Sequence, residues 1–216
     1  MIYNLDKDCS LINQYLAEMR DAQIQKDTLR YRFNTERIGM LIGYEISKKL
    51  EYRNLNVQTP LGISPSRIID DKIVLATILR AGLPLNNGLL QVFDKAESGF
   101  VTAYRKYSSD NNFEIKVEYM SAPSIQDKVL ILSDPMLATG SSMIMSYKAL
   151  LAKGKPKHTH IVSVLASKEG IEFVKRHIRE ADFTIWTGAI DDELTAQSYI
   201  VPGLGDAGDL AFGKKD

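Results

Sequence analysis

Four branched aliphatics, Val129-Leu130-Ile131-Leu132, run directly into Ser133-Asp134-Pro135-Met136-Leu137-Ala138-Thr139-Gly140-Ser141-Ser142, and from Met143 to Lys153 the apolar residues return at helical spacing. Strand, polar loop, helix is the order. A buried strand of this kind joins its parallel neighbour only through a crossover, which leaves the polar loop at the strand's carboxyl end. There the free N–H groups of the next helix and its positive end can hold an anion. Thr139, Ser141 and Ser142 add hydroxyl donors, Gly140 permits close backbone approach, and Asp134 can accept from sugar hydroxyls or face a metal. Anion site and carboxylate together suit a phosphorylated sugar.

The same grammar recurs along the chain. Lys72 to Leu79 reads as a strand buried on both faces, and it stops at Arg80-Ala81-Gly82 ahead of a helix expected over Pro84 to Phe93. His158-Thr159-His160 leads into the strand Ile161 to Ala166, and Ser167-Lys168-Glu169-Gly170 starts a helix bearing Ile171, Val174 and Ile178 and ending in Lys175-Arg176-His177. Phe183 to Thr187 is a further core strand. Phe100 to Arg105 and the alternating stretch Phe113 to Met120 predict a hairpin, whose polar tip within Lys106 to Asn112 can act as a flap with Arg105 at its base. A long helix is expected from Thr28 to Leu50, with Leu29, Phe33, Met40 and Tyr44 on one side and Ile38, Leu41, Ile42 and Ile46 widening the stripe. Arg32 lies on it. Residues from Leu50 to Lys72 read as a polar connection rich in turn formers. These elements predict an α/β fold with a mainly parallel sheet flanked by helices.

Size and charge narrow the classes. At 216 residues and 44% hydrophobic the chain can bury a full core, and one domain over 1–216 is expected, with a helical N-terminal arm to about 55, a core from about 70 to 187 and a C-terminal segment from about 188. A formal net charge of +0 offers no global field for nucleic acid, so phosphate binding must be local. One cysteine, Cys9, rules out an intrachain disulfide and a cysteine zinc cage, and His158 and His160 lack the partners a metal cage needs. With no signal peptide and no apolar run long enough to cross a membrane, a cytoplasmic location is expected.

Two motif matches mislead. Gly203, Gly205 and Gly208 spell G-x-G-x-x-G, but no helix is expected behind them and no acidic ribose partner follows about twenty residues on. Gly208 to Lys215 nearly spells a P-loop, with Lys215 where a magnesium-holding hydroxyl belongs. What remains is a glycine-dense tail whose bare backbone groups can either form a structural turn or pair with the edge of a nucleobase.

Four blocks, Ile78-Leu79-Arg80-Ala81-Gly82-Leu83, Asp134 to Ser142, Ile190-Asp191-Asp192-Glu193-Leu194 and Tyr199 to Asp209, closely resemble the uracil phosphoribosyltransferase family, and Arg32, Tyr44-Glu45 and Tyr104-Arg105 stand at that family's positions. The resemblance runs in order along nearly the whole chain. It implies transfer of the phosphoribosyl group of 5-phosphoribosyl 1-diphosphate to uracil, giving UMP and diphosphate, on a sheet carrying a hairpin flap and a C-terminal base-binding hood. It places the 5-phosphate in Ala138 to Ser142 within the donor-binding stretch Asp134, Pro135, Met136, Leu137, Ala138, Thr139, Gly140, Ser141 and Ser142. Asp134 then faces the ribose hydroxyls, Arg80 and Arg105 the diphosphate, and Asp206 the donor. Ile200, Gly205, Asp206 and Ala207 match the uracil-binding positions, with Arg80, Arg105 and Asp206 as the catalytic set. Magnesium is implied on the diphosphate, held mainly by substrate and water. A homodimer or higher oligomer and allosteric control by a nucleotide are also implied.

The chain departs from the family pattern at three places. Ser141 stands where a second glycine is usual, so a requirement for positive φ there would strain or reshape the loop. Ala166 to Gly170 lacks the usual proline, and Leu210 replaces a common basic residue. Ser141 and Leu210 keep open the reading of a non-enzymatic nucleotide sensor or RNA-binding regulator, and the tail around Ile200 and Gly205 keeps open that of a phosphoribosyltransferase for another base.

Overall fold

The computed structural model describes residues 1–107 and 113–214, with the side chains of 103–118 outside the description. In chain order the first half contains β1 (Ile2–Asn4), α1 (Leu11–Arg20), α2 (Thr28–Ser47), β2 (Tyr52–Thr59), β3 (Gly62–Ile69), β4 (Ile73–Leu79), α3 (Gly82–Val92), β5 (Glu97–Tyr107) and β6 (Phe113–Ser121). The second half contains β7 (Val129–Ser133), β8 (Met136–Leu137), α4 (Ser141–Leu150), β9 (His158–Ser167), α5 (Lys168–His177), β10 (Phe183–Asp191), β11 (Glu193–Leu194), β12 (Ile200–Val201) and α6 (Ala207–Phe212).

The main sheet runs β1-β10-β9-β7-β4-β5-β6, with β8 beside β9. Every pairing is parallel except that of β5 with β6. Alternation along β4 shows why its sequence is apolar apart from Thr77: Ile73 and Leu75 enter the core under α1, α2 and α3, while Val74, Ala76 and Ile78 enter the core under α4 and α5. Both faces are covered, so no position on the strand is free for a polar side chain that lacks a partner. The expected strands and helices from Lys72 onward all form, and β10 runs on to Asp191. The tip of the hairpin at 108–112 lies outside the described residues.

Two expectations need correction. The long helix forms as α2, but its inner face is Ile38, Ile42 and Ile46, each 0% exposed, whereas Leu29, Phe33, Met40 and Tyr44 face outward, Tyr44 at 60%. Gly39 and Gly43 are buried beside these isoleucines. A Cβ on Gly39 would stand 2.5 Å from the Leu85 carbonyl oxygen, so α3 can reach α2 only where there is no side chain. The polar connection after Leu50 is in fact the antiparallel hairpin β2–β3, paired from Tyr52 with Ile69 to Thr59 with Gly62. Exposed over most of its length on both faces, it lacks the one-sided alternation that marks a strand. Near the N-terminus, β1 extends the sheet edge along β10, and α1 begins in a capping box in which Ser10 and Asn13 hold each other's backbone; neither element is evident from periodicity.

Candidate functional site

The loop after β7 is fixed from below before it meets any ligand. The Thr77 hydroxyl donates to the Ser133 carbonyl at 3.2 Å and accepts from the Ser133 hydroxyl at 3.0 Å, locking the ends of β4 and β7 together. The Asp134 N–H donates to the Val162 carbonyl at 3.0 Å, and the Pro135 carbonyl accepts from both Val164 and Leu165 at 3.0 Å. The left-handed turn then falls on Gly140, at φ 79, and Ser141 is the first residue of α4. Among the described residues the non-glycine positions with positive φ are Asp127 and Ser198. Ser141 is therefore unstrained. Its N–H donates to the Thr139 hydroxyl at 3.4 Å, and the next N–H groups of α4 are those a helix cannot satisfy internally.

Asp134 sits partly exposed at the strand end, its carboxylate accepting from the Met136 N–H at 3.2 Å. Burial, opposed by that N–H and reinforced by the nearby charge of Asp206, raises its pKa from 3.8 to about 7. No lysine or arginine side chain of the described residues pairs with it.

The Arg80 loop packs directly on this structure, for a Cβ on Gly82 would stand 2.1 Å from the Thr77 hydroxyl and 3.3 Å from the Ser133 carbonyl oxygen. The Arg80 guanidinium reaches the tail, donating to the Gly213 carbonyl at 3.2 Å and lying 3.8 Å from the Asp209 carboxylate. Arg105 lies on β5, with its side chain outside the described set.

The tail folds over as a short ribbon and helix. β11 pairs antiparallel with β12, and Gly203 (φ 56) and Gly205 (φ 96) turn the chain. Asp206 then caps α6, accepting from the Asp209 N–H at 2.9 Å. A six-residue helix thus follows the glycines, against the expectation of none. Ile200 and Ala207 are buried, while Gly205 is exposed with open space above its Cα. Leu210 packs against the core under α2, so an apolar residue suits that position.

Two further anchors hold the tail down. Arg32 donates to the Ala211 carbonyl at 2.8 Å. Arg20 grips Asp191 with two bonds of 2.7 and 2.8 Å and the Gly203 carbonyl with a third of 3.0 Å, while Asp191 also accepts from the Gly203 N–H at 2.9 Å. Burial of Asp191 opposes its charge, but the Arg20 fork and the Gly203 N–H outweigh it and hold the carboxyl below the usual range. Sequence reading missed the Arg20 partnership, because 171 residues separate the two; the available signal was a carboxylate closing an apolar strand, which needs a cation. The two histidines serve the sheet. His160 Nδ1 accepts from the Trp186 indole at 3.1 Å, and His158 Nε2 meets the Thr184 hydroxyl at 2.9 Å.

The loop residues Asp134 to Ser142, Arg80 and the tail around Asp206 thus converge at the carboxyl ends of β4 and β7. Sheet, loop and hood define the phosphoribosyltransferase class of fold, and a hypoxanthine phosphoribosyltransferase from Staphylococcus aureus shares the architecture at a TM-score of 0.50 with 13% identity, over 74% of each chain. Within that class the chain belongs to the uracil phosphoribosyltransferase family, whose sequence profile matches residues 7–214. A uracil phosphoribosyltransferase from Porphyromonas gingivalis is 54% identical over 214 residues, 99% of both chains. A protein of solved structure from Aquifex aeolicus is similar at a TM-score of 0.87 with 28% identity, covering 99% of this chain and 98% of its own. The family resemblance drawn from the four sequence blocks is therefore borne out.

Proposed function

We propose that residues 1–216 act as one unit that transfers the phosphoribosyl group of 5-phosphoribosyl 1-diphosphate to uracil, releasing diphosphate. The observation that carries this reading is the meeting of two recognition surfaces at one sheet edge: an anion loop with a carboxylate beside it, and a glycine-rich hood that leaves backbone groups at Gly205 open. Ala138 to Ser142 hold the 5-phosphate and Asp134 accepts from the ribose hydroxyls. Displacement at the anomeric carbon puts positive charge on the sugar and negative charge on the departing diphosphate, so Arg80 and Arg105 stabilise the leaving group. Asp206 lies toward the sugar. Ile200, Gly205, Asp206 and Ala207 frame the base.

Magnesium fits this site as a cation delivered with the donor. Asp134 and Asp206 present two mutually repelling carboxylates, and the described residues contain no cluster of three or more His, Cys, Asp or Glu side chains suited to a metal. When bound it would neutralise diphosphate charge, held mostly by substrate oxygens and water. A cytoplasmic setting suits these substrates, and among the described residues no helix is long and apolar enough to cross a membrane.

Purified protein given uracil, the donor and magnesium is expected to form UMP and diphosphate in equal amounts. Cytosine, orotate and purines should fail to compete at equal concentration. Absence of UMP sinks the reading, and turnover of another base would reassign the hood.

The outward face of α2 and the hairpin β2–β3 together expose Leu29, Phe33, Met40, Tyr44, Tyr52, Leu55, Val57, Leu61 and Ile63. A surface of that character calls for cover, and we assign it to a second copy of this chain. Light scattering at micromolar concentration is expected to give at least twice the chain mass, and Leu61→Asp with Ile63→Asp should lower it. A monomer at that concentration would remove the assignment. Allosteric control by a nucleotide is part of the same reading, and an effector would act on turnover through this assembly.

A further inference from the structure

Ser167 and Asp191 occupy opposed positions in the register of β9 and β10, at the ends of the two strands. Each is tied to a different half of the site. The Ser167 hydroxyl accepts from the Gly170 N–H at 2.8 Å, capping α5, and donates to the Ala138 carbonyl at 2.5 Å. The first turn of α5 is then pressed against the donor loop without an intervening side chain: a Cβ on Gly170 would stand 2.3 Å from the Ala138 oxygen and 2.6 Å from the Leu137 oxygen, and one on Gly140 would stand 2.9 Å from the Gly170 oxygen. Asp191, through Arg20 and Gly203, holds the turn that leads into the hood. Ser167 and Asp191 are both buried, so neither is placed to meet substrate directly.

Resting on the function proposed above, we infer that Ser167 and Asp191 are positioning residues acting separately on the two halves of the pocket, Ser167 on the 5-phosphate loop and Asp191 on the base-binding hood. The physical ground is that anion binding by backbone N–H groups depends on the loop's exact dihedrals. The loop carbonyl before Thr139 is fixed by one hydroxyl that has no substitute among the described residues. Pre-organisation of this kind is felt as substrate affinity, and displacement of a few tenths of an ångström to 1 Å can cost one to two orders of magnitude. The hood is likewise held at Gly203 by a buried fork whose charge is needed to keep Arg20 in place.

The test is a crossed kinetic measurement on the full-length protein with Ser167→Ala, Ser167→Thr and Asp191→Asn. Ser167→Ala is expected to raise the KM for the donor about tenfold while leaving that for uracil within about twofold. Asp191→Asn is expected to do the reverse, and Ser167→Thr, which retains the hydroxyl, should return the donor KM toward wild type. Melting temperature is followed alongside, since loss of the cap lowers stability without by itself splitting the two KM values. If both KM values rise together in each variant, or neither moves, the separate roles are overturned. Ribose 5-phosphate titrated calorimetrically into wild type and Ser167→Ala provides a readout independent of turnover: weaker binding in the variant supports the tie even if uracil proves to be the wrong base, and equal binding overturns it.

Discussion

The Asp134→Asn protein is expected to form UMP about a hundredfold more slowly than wild type while melting no lower than it at pH 8. The activity estimate follows from the bonds lost. A carboxylate accepting from two ribose hydroxyls makes two charge-assisted hydrogen bonds, each worth about 1.5–3 kcal/mol, and an amide offers one neutral oxygen in their place. Taking about 3 kcal/mol for the pair gives about two orders of magnitude in kcat/KM for the donor. The stability expectation comes from the titration of the free protein. Asp134 titrates at about 7 in the folded chain against 3.8 as its ordinary value, because burial and the Asp206 charge disfavour the anion. The folded state thus holds its proton where the unfolded state has lost it. Stability from this group is full below about 4, falls as pH rises between about 4 and 7, and is lowest above 7. Asparagine carries no such charge and is spared that cost at pH 8. The same titration predicts that wild-type kcat/KM for the donor rises through about pH 7 as the carboxylate forms, and that the asparagine variant loses this limb. A variant with near-wild-type turnover, or an unchanged pH limb, would move the ribose hydroxyls away from Asp134.

The sequence was most legible where one physical demand dictated each residue. β4, β7 and β9 are buried on both faces, so their runs are mainly apolar, with Thr77 and His160 tied by hydrogen bonds, and their ends are marked sharply by Arg80, Asp134 and Ser167. The loop after β7 was readable for the same reason, since Gly140 alone in it carries positive φ. Legibility failed where packing depends on the absence of side chains or on distant partners. The inner face of α2 was misjudged because Gly39 and Gly43 count for nothing in an apolar tally. The hairpin β2–β3 was missed because it is solvated on both faces and presents no period-two contrast. In the candidate site, Asp191 could be noticed but not paired, because Arg20 belongs to an early helix that periodicity did not reveal. Ser167 was recognisable as a helix cap but not as the donor to Ala138, a contact that exists only once β8 and β9 lie side by side.

Gly88→Ala is expected to destabilise the protein by about 3 kcal/mol, a cost at the upper end of overpacking substitutions. In an isolated helix the change would help, alanine being favoured over glycine by about 1 kcal/mol. Here the helices α2 and α3 meet backbone to backbone. A Cβ on Gly88 would lie 2.0 Å from the Glu36 carbonyl oxygen and 2.9 Å from the Met40 nitrogen, atoms of a helical ladder that cannot rotate aside. The only relief is to part the helices, which strips contacts from Leu85 and Leu89 beneath them, both fully buried. Gly43→Ala is the matched control on the same interface: the nearest atoms to its Cβ would be those of the Val92 side chain, at 3.2 to 3.4 Å, and a change within about 1 kcal/mol is expected. Urea midpoints for the two variants measure the difference directly, and equal midpoints would mean that the close approach is not what holds α3 on α2. Movement of α3 also reaches the chemistry. The helix starts at Gly82, two residues after Arg80, and that loop is seated on Thr77 and Ser133 at the foot of the donor loop. Tilting α3 to make room for one methyl group therefore displaces the guanidinium assigned to the diphosphate, so the folded fraction of Gly88→Ala should show a raised KM for the donor, whereas Gly43→Ala should not.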